Sequence, residues 1–157
     1  MKIIANLFPG LALFLLLSCG SGSPDSVKNA KEANDARIDS QKRNETPDTA
    51  AVLTKDDADF LVNATSGNQM EIELGTLAQA HSNNARVKAF GAMMVQDHGA
   101  NALQLKALGA AKKLVLPDSL SNDQRKEIEN LKKKTGNDFN RAYIRLMMSD
   151  HKSDIKE

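Results

Sequence analysis

The stretch KDDADFLVNATSGNQMEIELGTLAQAHSNNARVKAFGAMMVQDHGANALQL, residues 55–105, decides the fold. It has no strand-like alternation, and its apolar residues recur at intervals of three and four. At 100° per residue, Phe60, Ala64, Gly67, Met70, Leu74, Leu77 and Ala78 fall on one stripe of a helix over about 55–81. Thr54 is placed to cap its start, and Asp56, Asp57 and Asp59 suit the positive end of its dipole. After the Ser82-Asn83-Asn84 break, Val87, Gly91, Met94, Val95, Ala102 and Leu105 form a second stripe ending near Lys112 and Lys113. So short a connection predicts an antiparallel helical hairpin.

Towards the C-terminus a long crossover follows. Leu116-Pro117-Asp118 stops the second helix, and Ser121 with Gln124 resembles a capping box that opens a short charged helix burying Ile128 and Leu131. Its Lys132-Lys133-Lys134 run reads as a solvated helix end near the favourable pole of the dipole rather than as a phosphate site. Thr135-Gly136 ends that helix. A third long helix then starts near Asn137 and is expected to turn Ile144, Met147, Met148 and Ile155 inward. The segment from Phe90 to His98 aligns without gaps on the one from Tyr143 to His151: an aromatic residue, later two Met or Leu positions, then Asp-His. Both histidines therefore sit at the same angle on their helices. The expected fold is all-α, an up-down bundle with one long crossover.

Towards the N-terminus the pattern changes twice. Met1 and Lys2 precede an apolar run, Ile3 to Leu17, that contains Pro9 and Gly10. A run of about 15 residues is short of the roughly 20 that span a bilayer, so residues 1–18 read as a removable secretory leader. Leu16-Leu17-Ser18-Cys19 resembles the bacterial lipobox, which implies lipidation of Cys19 and anchorage to a membrane without crossing it. By the same resemblance, Gly20 after the cysteine implies the outer membrane of a Gram-negative cell. Residues 19–53 are polar, with Val27 and Ile38 the large apolar residues between Gly20 and Ala50, and are expected to form a flexible tether holding the domain about 30 Å from the anchor, within which Lys28 to Arg43 can be transiently helical. Residues 54–157 form the domain.

Composition excludes several roles. Without Lys2 the chain has 20 basic residues against 20 acidic ones, which argues against nucleic acid as a partner. Beyond the leader the aromatics are Phe60, Phe90, Phe139 and Tyr143, too few for base or sugar stacking. A single cysteine forbids an internal disulfide. No Gly-rich phosphate loop or Gly-x-Ser-x-Gly elbow occurs, so no hydrolytic apparatus is visible and no catalytic residue is assigned.

The stretches Asp57-Ala58-Asp59-Phe60, Glu71 to Ala78, Val87-Lys88-Ala89-Phe90, Met94-Val95-Gln96-Asp97-His98 and Phe139 to His151 resemble, in order, the bacterial domain of unknown function 4142 proteins, described as outer-membrane and grouped with ferritin-like four-helix bundles. The resemblance implies a ferritin-like bundle and no established activity. The family's domain continues past the second Asp-His into a further long helix, so residues 54–157 are expected to lack the last helix. A second copy or a partner helix would then cover the open face. Ferritin-like di-iron enzymes use Glu-x-x-His on two helices, and that motif occurs nowhere in this sequence.

Two polar residues of the hairpin face inward. Glu71 lies about 60° from Leu74 within the apolar stripe, and His98 lies between Val95 and Ala102. With the turn near Asn83, Glu71 is level with Val95 and within a turn of His98, and His151 joins them if the repeat is symmetrical. An ionised buried Glu must be paired, protonated or metal-bound. One reading is a Glu71–His98 pair that fixes helix register. The other is a metal site of Glu71, His98 and His151, a two-His one-carboxylate set suited to iron, zinc or manganese. Asp97 and Asp150 point about 100° from their neighbouring histidines and are candidates for supporting or surface positions. Met70, Met94, Met147 and Met148 offer thioethers to copper(I), but methionine is also an ordinary core filler. His81 reads as a helix-end residue. The leading expectation is a membrane-anchored structural or interaction module, with a metal-binding or metal-redox protein as the alternative.

Overall fold

A computed structural model describes residues 24–44 and 53–155. These form five helices: α1 (Ser26–Asn44), α2 (Lys55–His81), α3 (Ala85–Ala111), α4 (Asn122–Lys132) and α5 (Gly136–Asp154). The fold is all-α, with no strand among the described residues. None of the described helices is long and apolar enough to cross a membrane. The leader and Cys19 lie outside the described residues.

The α2–α3 hairpin is the spine, and its ends are capped by its own sequence. The Thr54 hydroxyl accepts from the Asp57 amide at 3.0 Å while the Asp57 carboxylate accepts from the Thr54 amide at 3.0 Å. Asn84 opens α3 by accepting from the Arg86 and Val87 amides. The turn is tied to α5 by the Ser82 hydroxyl, which donates to Asn140 Oδ1 at 2.7 Å. Nearly two helical turns from the connection, the two helices touch backbone to backbone. A Cβ added to Gly75 would stand 2.6 Å from the Gly91 carbonyl oxygen, and one added to Gly91 equally close to that of Gly75. Only glycine permits this approach.

The shorter helices close over the spine. α4 starts with the expected capping box, Ser121 with Gln124, and buries Ile128 and Leu131. Gly136, with φ +54°, supplies the left-handed residue that redirects the chain into α5. On α5 the buried apolar residues are Phe139, Tyr143 and Met147, packed with Met70, Leu74, Leu77, Ala78 and Met94. This corrects the expected inner stripe: Met147 is buried, but Ile144 is 36% exposed, Met148 55% and Ile155 86%. Spacing of three and four alone admits either stripe. Turning Phe139 and Tyr143 inward buries two aromatic rings, which stack on each other at 6.1 Å and outweigh the aliphatic alternative. Phe60 is likewise 53% exposed, because the first half of α2 turns Ala58, Leu61 and Val62 inward instead.

That inward face receives α1, and here the expectation of a flexible tether over residues 19–53 is corrected for residues 24–44, while residues 19–23 and 45–52 lie outside the described residues. Ala30, Asn34 and Ile38, spaced by four, are all buried. Ile38 packs with Ala58, Leu61 and Leu114 in a second core. The Asn34 amide pairs with the backbone of Val115 in both directions, donating to its carbonyl at 2.9 Å and accepting from its amide at 2.8 Å. Asp25 and Ser26 bind the crossover, the Asp25 carboxylate accepting from the Asn122 amide and the Ser26 hydroxyl donating to Asp118. The segment is too polar to form a core of its own but folds onto one that already exists.

Candidate functional site

The glycine contact lies one helical turn from Glu71 and places α2 and α3 close enough for a glutamate to span the gap. Glu71 is 2% exposed. Its Oε2 lies 2.8 Å from His98 Nδ1 on α3, and its Oε1 lies 3.3 Å from His151 Nδ1 on α5. One donor atom from each of the three residues lies within 4.8 Å of the others. The two imidazoles stand edge to face, with centroids 6.0 Å apart and planes at 89°.

Hydrogen bonds orient each ring. His98 Nδ1 is also 3.0 Å from Asn68 Oδ1, while Asn68 Nδ2 donates to the His98 carbonyl at 2.8 Å. Asn101 Nδ2 donates to Asn68 Oδ1 at 3.1 Å, completing a carboxamide chain beside the site. His151 Nδ1 lies 2.9 Å from the Met147 carbonyl, one turn back along its own helix. The oxygens facing both Nδ1 atoms are acceptors, so each Nδ1 carries a proton in this arrangement.

Tyr143 adds a second buried polar group. It is fully buried, and its hydroxyl has no hydrogen-bond partner among the described residues. Burial, and next the negative charge of Glu71, push its pKa up to about 12. It is therefore a neutral phenol near neutral pH.

Glu71, His98 and His151 are thus brought together as the register argument expects. Asp97 is exposed, Asp150 is half-buried beside His151, and Asn68 and the Met147 carbonyl support the rings from positions the sequence reading did not consider. Asn68 was legible in principle: it lies on the buried stripe three residues before Glu71. Met70, Met94 and Met147 belong to the main core, whereas Met148 is exposed. His81 ends α2 with its ring 5.8 Å from that of Phe139.

The cluster opens on two sides. Glu71 and His98 border a polar cleft of about 190 Å³ between α2 and α3. His151 borders an apolar cleft of about 300 Å³ formed with Phe90, Ile144, Met147 and Met148.

An all-α domain with an inward carboxylate and two imidazoles, each on a different helix, defines a helical-bundle protein with a polar centre. Residues 42–157 match the family described as Domain of unknown function (DUF4142), and the chain belongs to that family. No curated protein and no solved structure matches the chain.

Proposed function

We propose that this protein is a metal-binding module in which Glu71, His98 and His151 hold one divalent transition-metal ion, and that a lipid on Cys19 anchors it to a membrane. The observation that carries the metal reading is the convergence of three ligand-type side chains from three helices to within 4.8 Å. Around an ion bonded at about 2.0–2.2 Å, neighbouring donors stand roughly 2.8–3.6 Å apart. The contacts of 2.8 and 3.3 Å, made by the two different Glu71 oxygens, fall in that range, and the set of one donor per residue, which spans up to 4.8 Å, would draw together around an ion. A cation also compensates the burial of the carboxylate. Two imidazoles and one carboxylate suit iron, zinc or manganese.

In the metal-free form, His98 Nδ1 faces Glu71 Oε2 at 2.8 Å while His151 Nδ1 bonds the Met147 carbonyl with Glu71 Oε1 at 3.3 Å, a polar cluster that fixes the register of α2, α3 and α5. This second reading is favoured by the acceptors that face both Nδ1 atoms. Metal entry would displace those protons. The anchor reading rests on Leu16-Leu17-Ser18-Cys19 in the sequence, and the outer membrane on Gly20 after it. Loss of fatty-acid labelling and of membrane association in Cys19→Ser is the expected result, and retention of both would refute it.

The metal reading is tested by elemental analysis of full-length protein reconstituted with iron(II), zinc or manganese(II). About one ion per chain is expected, lost in Glu71→Gln and His98→Ala and weakened at least about tenfold in His151→Ala. No bound ion and no thermal shift with any of the three would leave the register cluster as the role of these residues.

A further inference from the structure

We infer that the polar cleft between α2 and α3 is a binding site for a small monoanion, which enters the coordination sphere of the ion held by Glu71, His98 and His151. This inference rests on the metal reading above. Three protein donors leave at least one coordination position to an outside ligand, as in metal sites that bind substrate rather than only brace a fold. The structure shows which side that ligand approaches from. Glu71 and His98 form part of the wall of the cleft, together with Phe60, Gly67, Asn68 and Asn101. At about 190 Å³ it has room for several waters at roughly 30 Å³ each, or for an anion of a few atoms, but not for a large organic substrate.

Charge selects the class of ligand. Glu71 and His98 are the ionisable side chains lining the cleft; the rest are apolar or carboxamide. A divalent ion with one carboxylate leaves a net single positive charge, and a monoanion neutralises it with no further counter-ion. The carboxamide of Asn101 uses one N–H on Asn68 Oδ1 and has a second to offer. The apolar cleft beside His151 has no polar side chain besides that imidazole and gives an anion nothing to bond.

Gly67 makes the inference testable without touching a ligand. Gly67 lines the cleft and a Cβ there meets nothing within 4 Å, so a large side chain is accommodated at its rim and would narrow it. Full-length protein loaded with cobalt(II) is titrated with azide and followed by visible absorption. A saturable change at one azide per cobalt is expected. Gly67→Leu should keep the cobalt stoichiometry and lose at least about tenfold in azide affinity, while Gly67→Ala responds like the parent chain. Circular dichroism confirms that both variants fold. Bound cobalt with no azide response, or an unchanged response in Gly67→Leu, overturns the anion site and leaves the metal reading intact. No bound cobalt, together with no bound iron, zinc or manganese, overturns both.

Discussion

Glu71 and Tyr143 are two buried polar groups in one core, with opposite solutions. The carboxylate meets an imidazole on each side. The phenol has no such partner and avoids ionisation, its pKa pushed up to about 12. A buried hydroxyl without a hydrogen bond costs about 1–3 kcal/mol. Tyr143→Phe should therefore keep the ring stacking with Phe139 and hold or raise stability by about 1 kcal/mol, measured by urea unfolding. A loss of more than that would show that the hydroxyl is bonded through water. Glu71 and His98 were legible in the sequence because a hairpin turn and a helical period fix which residues are level. Tyr143 was not legible as a neighbour of the site, and Asn68 was legible only as a position on the buried stripe, not as a partner of His98. Their roles depend on how far α5 is rotated and on side-chain reach, and periodicity carries neither.

Among the elements, the hairpin depends on two glycines that play different parts from Gly67. Gly75 and Gly91 give the helices their close approach, and a methyl on either must push backbone away. Gly75→Ala and Gly91→Ala should each destabilise by about 1–3 kcal/mol despite the better helix propensity of alanine. Gly67→Ala, which meets nothing, should stabilise by up to about 1 kcal/mol. Thermal melts of the three variants check the contrast, and equal shifts would refute it. The hairpin, the crossover and the capping boxes were readable because their signals are local. α1 was legible only as a transient helix over Lys28 to Arg43, because its stability comes from docking Asn34 and Ile38 onto α2 and the crossover. Its docking also has a pH limit. Backbone hydrogen bonds from Asn122 and Lys28 hold Asp25 below the usual carboxylate range, and the Ser26 hydroxyl does the same for Asp118. A depressed folded pKa gives stability that is present above the unfolded value of about 3.9 and lost as pH falls through the folded one. Amide exchange in α1 should therefore accelerate below about pH 4 before that of α2 and α3 does. Simultaneous loss of protection in all three helices would show that these contacts contribute nothing separate.

At the scale of the whole molecule, the docking of α1 changes the geometry of the proposed anchor. A disordered tether from Cys19 to Leu53 would let the domain roam about 30 Å from the lipid. The described structure begins at Pro24 and continues into the docked α1, so five peptide steps separate Cys19 from it. At 3.3–3.6 Å per residue even a fully extended link reaches only about 18 Å. The start of α1 is hydrogen-bonded to the crossover at Asp118 and Asn122, so a lipid on Cys19 would hold that end of the bundle near the bilayer. A fluorescent donor at the exposed Ser119 should transfer energy efficiently to acceptor lipids in vesicles carrying the lipidated protein. A spacer of about 30 Gly and Ser residues inserted after Gly20 should lower that transfer markedly, since it restores a reach of roughly 30 Å. Transfer that is already low without the spacer, or unchanged by it, would mean that α1 does not tie the bundle to the anchor. A short link also bears on the polar cleft. A domain held this close to a surface samples ions at the local concentration that the headgroups set, and anionic lipids deplete small anions there within a Debye length. Azide affinity of the cobalt-loaded protein should therefore be lower on anionic vesicles than on zwitterionic ones, and the difference should vanish in high salt.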